Sequence, residues 1–221
     1  AATPDHLRSA IEGEGADVVP VDGDYDDAVA AASAAAEAAD DAVLVQDTAD
    51  AGDGDPVVPG WVVEGYATLL HEVHAALRHE PDVLVVPVGV GSFALAAAEY
   101  GGAPLLTVEP TVAPCLLASL VAGAPRTVAT GRTAMAGLNA GTVSAAAWPV
   151  LRDRVAAAVA VPDDSALDAG GELHSAGVAA GPCGGAALAG LQRALADPGA
   201  REALGVDGGS CVVVLSTDGA S

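Results

Sequence analysis

A glycine-rich turn is the feature of the sequence best suited to bind a ligand. It consists of Gly89, Val90, Gly91 and Ser92, and it joins an apolar run, 83–86, to a predicted helix. Backbone N–H groups in such a turn can approach an anion closely, and the helix dipole adds about half a positive charge. The turn is therefore a candidate phosphate site. An ordinary strand-to-helix turn is the alternative, since the sequence is neither a Walker A motif nor a complete GxGxxG.

Three polar residues follow apolar runs that are predicted to be strands. They are Asp47, Glu109 and Ser216. Ligands of open parallel sheets bind beyond the carboxyl ends of the strands, so these residues are candidates for one pocket. A loop cap or a solvated side chain is the alternative for each of them.

The charge of the chain restricts its partners and its chemistry. Thirty acidic residues against eight basic ones give a net charge of −22, which argues against nucleic acid and anionic membranes as partners. All eight basic residues are arginines, so the chain has no lysine and cannot form a Schiff base through one. The acidic excess also predicts a halophile-like surface, with the composition bias of a GC-rich genome as the alternative.

The cysteines and histidines show no metal or disulfide pattern. Cys115, Cys183 and Cys211 form no CxxC pair, which favours a reducing compartment. Cys183 precedes a predicted helix, where the dipole favours a thiolate. We prefer the alternative of a small packed residue there. The chain has neither a signal-like segment nor a long apolar run, so we expect a cytoplasmic protein.

Apolar runs and helical stretches alternate, which predicts an open parallel sheet with helices on both faces. Strands are expected over 18–21, 42–46, 83–86, 105–108 and 211–215, and helices over 4–14, 25–39, 61–79, 93–100, 114–122, 145–157, 163–176 and 186–196. Asp24 is the expected N-cap of the second helix. The acidic, glycine-rich residues 47–60 read as a connecting loop between a smaller domain, 1–46, and a larger domain, 61–221.

Six short segments occur in a specific order. They are Gln46–Ala49, Trp61–Thr68, Val88–Ser92, Val108–Pro110, Met135–Gly141 and Ser216–Gly219. Together they resemble the pyridoxal-phosphate enzymes of the tryptophan synthase β / threonine dehydratase fold, and among these the 2,3-diaminopropionate ammonia-lyases. The resemblance covers about residues 5–219. It implies an α/β fold with a three-layer open parallel sheet of the tryptophan-synthase-β-like type (fold type II), with the larger domain binding the cofactor.

The resemblance also implies roles for the candidate residues. The Gly89–Ser92 turn would hold the phosphate of pyridoxal 5'-phosphate, and Ser216 would hydrogen-bond its pyridine nitrogen. Asp47 matches a family aspartate beside the substrate, which makes it the candidate catalytic residue. Glu109 matches a position near a cation in dehydratase relatives, and its role here stays open.

The implied reaction is α,β-elimination of ammonia from 2,3-diaminopropionate or a similar small amino acid, giving pyruvate. A threonine dehydratase- or threonine synthase-like enzyme is one alternative, and a non-catalytic remnant that binds a phosphorylated ligand is another.

The sequence departs from this family in two respects. The family holds its cofactor through a lysine, which we expect upstream of residue 1, so we expect a fragment that is incomplete at both ends and inactive by itself. The full-length protein is expected to be a homodimer. In addition, Ala180–Gly184 stands where these lyases carry Ser-Gly-Glu-Ser-Gly, and Pro182 replaces the glutamate.

Overall fold

The computed structural model describes residues 5–49 and 57–219. The expected start of the first helix at residue 4 and half of the expected 47–60 loop, residues 50–56, lie outside these residues. The chain divides into two compact units, Ala1–Leu44 and Val45–Ser221. Asp47 and the following residues of the loop therefore belong to the larger unit.

The smaller unit contains two helices, α1 (Asp5–Gly13) and α2 (Tyr25–Glu37). Asp24 caps α2 as expected: its side chain accepts from the backbone N–H of Asp27 at 3.1 Å, and the Asp27 carboxylate accepts from the Asp24 N–H at 2.9 Å. This reciprocal pair is a capping box, which satisfies two backbone donors.

The prediction of strands at 18–21 and 42–46 is wrong. Neither stretch forms a strand, and Val19 and Val43 are 79% and 76% exposed. A strand requires a neighbour that accepts and donates its backbone hydrogen bonds, and no described residue pairs with these stretches. Most of their apolar side chains consequently remain exposed.

The larger unit is an α/β domain built on four parallel strands in the order β3-β2-β1-β4. Its elements are α3 (Val57–Ala76), β1 (Val83–Pro87), α4 (Ser92–Tyr100), β2 (Leu105–Pro110), α5 (Cys115–Ala122), a 3₁₀ turn (Ala136–Leu138), α6 (Trp148–Arg154), β3 (Val155–Val161), α7 (Asp163–Ser175), α8 (Pro182–Ala196), α9 (Pro198–Leu204) and β4 (Val212–Val214). The predicted α/β class with an open parallel sheet is confirmed.

The sheet is covered on both faces, so the domain has three layers. Leu84 and Val86 of β1 pack in a core with side chains of α3 and α4, whereas Val83 and Val85 pack in a second core with α7 and α8. Every residue of β1 and β2 is buried. Continuous apolar runs of this kind are typical of central parallel strands.

Two elements differ from the sequence prediction. The helix expected over 145–157 ends at Arg154, and the alanine-rich stretch 155–161 forms the edge strand β3 instead. Alanine favours helices, but pairing with the buried strand β2 outweighs that local preference here. The sequence analysis also missed α9, although Asp197 and Pro198 are good N-cap and N1 residues.

A glycine in α8 allows this helix to pack closely on the sheet. A side-chain carbon at Gly190 would collide with the methyl groups of Val108, whereas Gly171 on α7 has open space around it. We expect Gly190→Ala to destabilise the domain by about 1–3 kcal/mol through overpacking. Gly171→Ala should stabilise it by about 0.5–1 kcal/mol, since alanine loses less entropy in a helix. Urea unfolding of both variants checks this, and equal effects would contradict the close packing of α8.

Candidate functional site

The glycine-rich turn places the N-terminus of α4 at the carboxyl edge of the sheet. Gly91 is the N-cap, and its φ of +97° is a left-handed conformation that favours glycine. A side-chain carbon there would also lie 3.1 Å from Leu151. Among the described residues no side chain caps α4, and its first turn contains no acidic residue. The amide groups that begin α4 are therefore suited to a phosphate.

The segment 137–144 supports the turn from one side. An added carbon at Gly89 would lie 3.0 Å from the carbonyl oxygen of Gly137. The carbonyl oxygen of Val90 accepts from the Ser144 N–H at 2.8 Å. Val90, Gly91 and Ser92 are buried, while Gly89 is partly exposed. The turn is thus held in place by backbone contacts that also account for the Met135–Gly141 motif.

Asp47 lies directly beside this turn. The hydroxyl of Ser92 donates to Asp47 Oδ2 at 2.6 Å, so two residues that are 45 positions apart meet in one site. The Ala49 N–H donates to Ser144 Oγ at 3.1 Å, and the Ala49 carbonyl accepts from the Ala145 N–H at 2.9 Å. These bonds fix residues 47–49 against the same segment that supports the turn.

A cleft of about 200 Å³ opens next to the Ser92–Asp47 pair. Besides these two residues, its walls include the carboxylates of Glu64 and Glu99 and apolar side chains of α3 and α4. The cleft therefore has an acidic character that suits a cationic or amino-bearing ligand.

Tyr66 is a neighbour of the pair that the sequence analysis did not single out. Its ring packs edge-on against Phe93, the residue after Ser92, with the ring centres 5.1 Å apart. Burial and the negative charge of Asp47 raise the pKa of Tyr66. The available signal was its position in the Trp61–Thr68 segment.

Ser216 follows β4, the neighbour of β1 in the sheet. The Leu215 N–H donates to the Val85 carbonyl at 3.0 Å, which extends the pairing to the residue before Ser216. Ser216 and the turn therefore emerge at the same edge of adjacent strands. The Ser216 hydroxyl lies against Gly184, where any side-chain carbon would collide with it.

Asp218 occupies the N-terminus of α8. Its carboxylate accepts from the backbone N–H groups of Cys183 and Gly184, both at 2.7 Å. Burial and the charge of Asp218 raise the pKa of the Cys183 thiol to about 11. This favours the small packed residue over a reactive thiolate, because the carboxylate cancels the effect of the helix dipole.

Glu109 caps the N-terminus of α5 in the same way. Its side chain is fully buried, and its two oxygens accept from the backbone N–H groups of Leu116 and Leu117, both at 2.7 Å. Burial raises the pKa of Glu109 to about 7, despite the opposing effect of the two amides. The residues that the structure describes contain no cluster of three or more metal-binding side chains. We therefore assign Glu109 to the cap of α5.

The raised pKa of Glu109 predicts a dependence of stability on pH. Between its ordinary value of 4.5 and about 7, the unfolded chain releases the Glu109 proton while the folded chain retains it. Stability from this group is therefore full below pH 4.5 and decreases as the pH rises to about 7, by about 3 kcal/mol.

Glu109→Gln removes this titration and serves as the reference. We expect the free energy of unfolding of the wild type, relative to Glu109→Gln, to fall over this pH range in urea titrations. A constant difference would contradict the assignment of a raised pKa to Glu109.

Comparison with known proteins shows which family shares these features. Residues 1–218 match the family model described as "Pyridoxal-phosphate dependent enzyme". Diaminopropionate ammonia-lyase of Salmonella typhimurium is 36% identical over 168 residues, which are 69% of this chain and 41% of the relative. L-threonine dehydratase of Mycobacterium tuberculosis is 31% identical over 157 residues, 67% of this chain and 36% of the relative. The chain thus spans less than half the length of these curated relatives.

Solved structures give the same result. Diaminopropionate ammonia-lyase from Escherichia coli in complex with D-serine superposes with a TM-score of 0.84 at 26% identity, covering 98% of this chain and 58% of that one. A second structure of that enzyme contains a PLP-linked reaction intermediate, with a TM-score of 0.82 at 26% identity, covering 98% of this chain and 59% of that one. Threonine deaminase isoform 2 from Solanum lycopersicum, 22% identical with a TM-score of 0.77, covers 99% of this chain and 60% of its own and shares the fold. No helix among residues 5–49 and 57–219 is long and apolar enough to cross a membrane.

Proposed function

Because the chain belongs to the family of pyridoxal-phosphate dependent enzymes, we propose that it forms the phosphate- and ring-binding part of an ammonia-lyase for 2,3-diaminopropionate or a similar small amino acid. The observation that carries the proposal is the uncapped N-terminus of α4 with Asp47 hydrogen-bonded to its first residue, Ser92. A bound cofactor of this type acts as an electron sink for charge that develops next to the amino group of a substrate.

The residues present fit the phosphate end of the cofactor. The Gly89–Ser92 turn, in which Val90, Gly91 and Ser92 are buried, offers amide donors and needs no basic side chain. Ser216, at the adjacent strand end, would bind the ring nitrogen through a neutral hydroxyl. The chain has no lysine, so none of its side chains can form a Schiff base with the cofactor aldehyde.

Asp47 is the proposed catalytic residue of the chain. It lies in the wall of the cleft, and the Ser92 hydroxyl holds one of its oxygens. A carboxylate in this position can orient a substrate ammonium group or move a proton. Its place next to the turn supports an action on a substrate that lies beside the cofactor phosphate.

The acidic cleft supports a diamino acid over threonine. Asp47, Glu64 and Glu99 all line it, and their negative charge attracts the second ammonium group of 2,3-diaminopropionate. Threonine carries a neutral hydroxyl in place of that group. The threonine dehydratase likeness, at 31% identity, makes threonine the natural comparison.

A non-catalytic binding role is the second candidate. The absence of lysine favours it, because a chain that only holds a phosphorylated ligand needs no amine.

For the full-length protein we propose a cytoplasmic homodimer. The family likeness supports the association.

The phosphate site is tested with a matched pair of variants. Gly89→Asp and Gly89→Asn place side chains of the same shape beside the turn, so both carry the same steric burden and differ in one negative charge. We expect the wild-type chain to bind pyridoxal 5'-phosphate in equilibrium dialysis, with inorganic phosphate as a competitor. Gly89→Asp should bind at least about tenfold more weakly than Gly89→Asn, because its carboxylate repels the phosphate. Equal affinities, or no binding by the wild type, would contradict the proposal.

The substrate is tested by calorimetry on the chain saturated with pyridoxal 5'-phosphate. We expect 2,3-diaminopropionate to bind more tightly than L-threonine, and Glu64→Gln together with Glu99→Gln to reduce that preference, since the variants keep the shape of the cleft and remove charge. Tighter binding of threonine would favour a dehydratase-like enzyme. Binding of pyridoxal 5'-phosphate, with no binding of either amino acid, would favour the non-catalytic role.

A further inference from the structure

The short segment that carries Ser216 is held by backbone hydrogen bonds on both sides. Before Ser216, the Leu215 N–H donates to the Val85 carbonyl of β1 at 3.0 Å. After it, the carbonyl oxygen of Asp218 accepts from the Gly181 N–H at 3.2 Å. Ser216 therefore lies between one anchor on the sheet and a second anchor at the start of α8.

The Asp218 carboxylate strengthens the second anchor. Its oxygens accept from the N–H groups of Cys183 and Gly184, both at 2.7 Å, so each oxygen binds a different amide of the first turn of α8. Hydrogen bonds to an ionised carboxylate are stronger than those between neutral groups, and the dipole of α8 adds to them. Asp218 consequently ties residues 216–218 to the N-terminus of α8.

Glycines at the start of α8 allow the two segments to touch. A side-chain carbon at Gly184 would collide with the Ser216 hydroxyl, and one at Gly181 would collide with the Asp218 carboxylate. The Ser216 hydroxyl thus lies against the backbone of α8, at a position set by the anchor two residues later. Ser216 itself remains partly exposed there.

We propose that Asp218 is a positioning residue for Ser216. By capping α8, it keeps the Ser216 hydroxyl at the edge of the sheet, where that hydroxyl would donate to the ring nitrogen of pyridoxal 5'-phosphate. Asp218 acts through the course of the backbone and through no contact with the ligand. The inference rests on the proposed function, because that function assigns the ring nitrogen to Ser216.

The test compares pyridoxal 5'-phosphate with inorganic phosphate in equilibrium dialysis on the full chain. Only the first ligand has a ring, so the ratio of the two affinities measures the contacts of the ring. Ser216→Ala should lower this ratio by about two- to tenfold, which is the effect of one neutral hydrogen bond.

Asp218→Asn should lower the ratio in the same sense. Asparagine keeps the shape of the side chain, but its NH₂ group faces one of the two amides and cannot accept from it. The lost negative charge acts on the phosphate of both ligands and therefore leaves the ratio unchanged. In the Ser216→Ala background, Asp218→Asn should have no further effect, because the hydroxyl that it positions is missing.

Two matched comparisons separate positioning from general stability. Asp197 caps α9 in the same unit by accepting from the Ala200 N–H at 2.8 Å, so Asp197→Asn should leave the ratio unchanged. Gly184→Ala displaces the Ser216 hydroxyl from the side of α8 and should lower the ratio, whereas Gly171→Ala, in open space, should not. Circular dichroism of each variant verifies the fold.

Hydrogen exchange of the Cys183 and Gly184 amides in the ligand-free chain reports the cap directly, and it should be faster in Asp218→Asn. Faster exchange with an unchanged ratio would overturn the inference, as would equal effects of Asp218→Asn with and without the Ser216 hydroxyl. Unchanged exchange would show that Asp218 is not the anchor. A wild-type chain that binds neither ligand would contradict the proposed function and this inference with it, whereas the other outcomes concern Asp218 alone.

Discussion

The positive ends of several helices meet at one edge of the parallel sheet, and the way in which each is neutralised determines what the site can bind. Glu109 occupies the N-terminus of α5, and Asp218 occupies that of α8. The first turn of α7 contains two acidic residues of its own. Within the described residues, α4 has neither an acidic first turn nor a side-chain cap. Of these four helix ends, that of α4 is therefore the one whose backbone amide groups are left to an external anion, although the Asp47 carboxylate lies beside its first residue.

Gly91 makes that arrangement possible. Its left-handed backbone turns the chain from β1 into α4, and the absence of a side chain allows the turn to pack against Leu151. Residues with a short polar side chain are common N-caps because they satisfy the first amide groups of a helix. Glycine at the cap leaves these amides to other acceptors. The same residue thus sets the course of the backbone and keeps the amides available for a ligand.

The sequence predicts the parts of the fold that depend on local pattern. β1, the turn and α4 are confirmed because a buried apolar run, glycines and a helical stretch follow each other within 83–100. The stretches 18–21 and 42–46 have the same apolar character, yet they form no strand, because strand formation depends on a partner elsewhere in the protein. The opposite error at 155–161 has the same origin: an alanine-rich stretch becomes a strand because β2 lies beside it. The local sequence preference of a stretch does not reveal whether a partner strand lies beside it.

The candidate site shows the same division. Sequence pattern predicts Asp47, the Gly89–Ser92 turn and Ser216 at one edge of the sheet, and strand order agrees for the turn and Ser216 because β4 adjoins β1. Asp47 follows no strand, contrary to the prediction, and it meets the turn through its hydrogen bond with Ser92. Sequence pattern could not identify the acceptor of the Ser92 hydroxyl. The structure commits the hydrogen of this hydroxyl to Asp47. That choice depends on a carboxylate that is 45 residues away in the chain, which no local motif connects with Ser92.

The hydrogen bond from Ser92 to Asp47 also links the glycine-rich turn to the cleft. Ser92 is the first residue of α4, so a ligand that orders the start of this helix also restricts the donor that holds Asp47. Asp47 lines the cleft, so a ligand in the cleft restricts the same donor from the other side. Linkage then requires that each ligand changes the affinity for the other by an equal factor. Two ligands that shared this wall would therefore be coupled through the Ser92 hydroxyl.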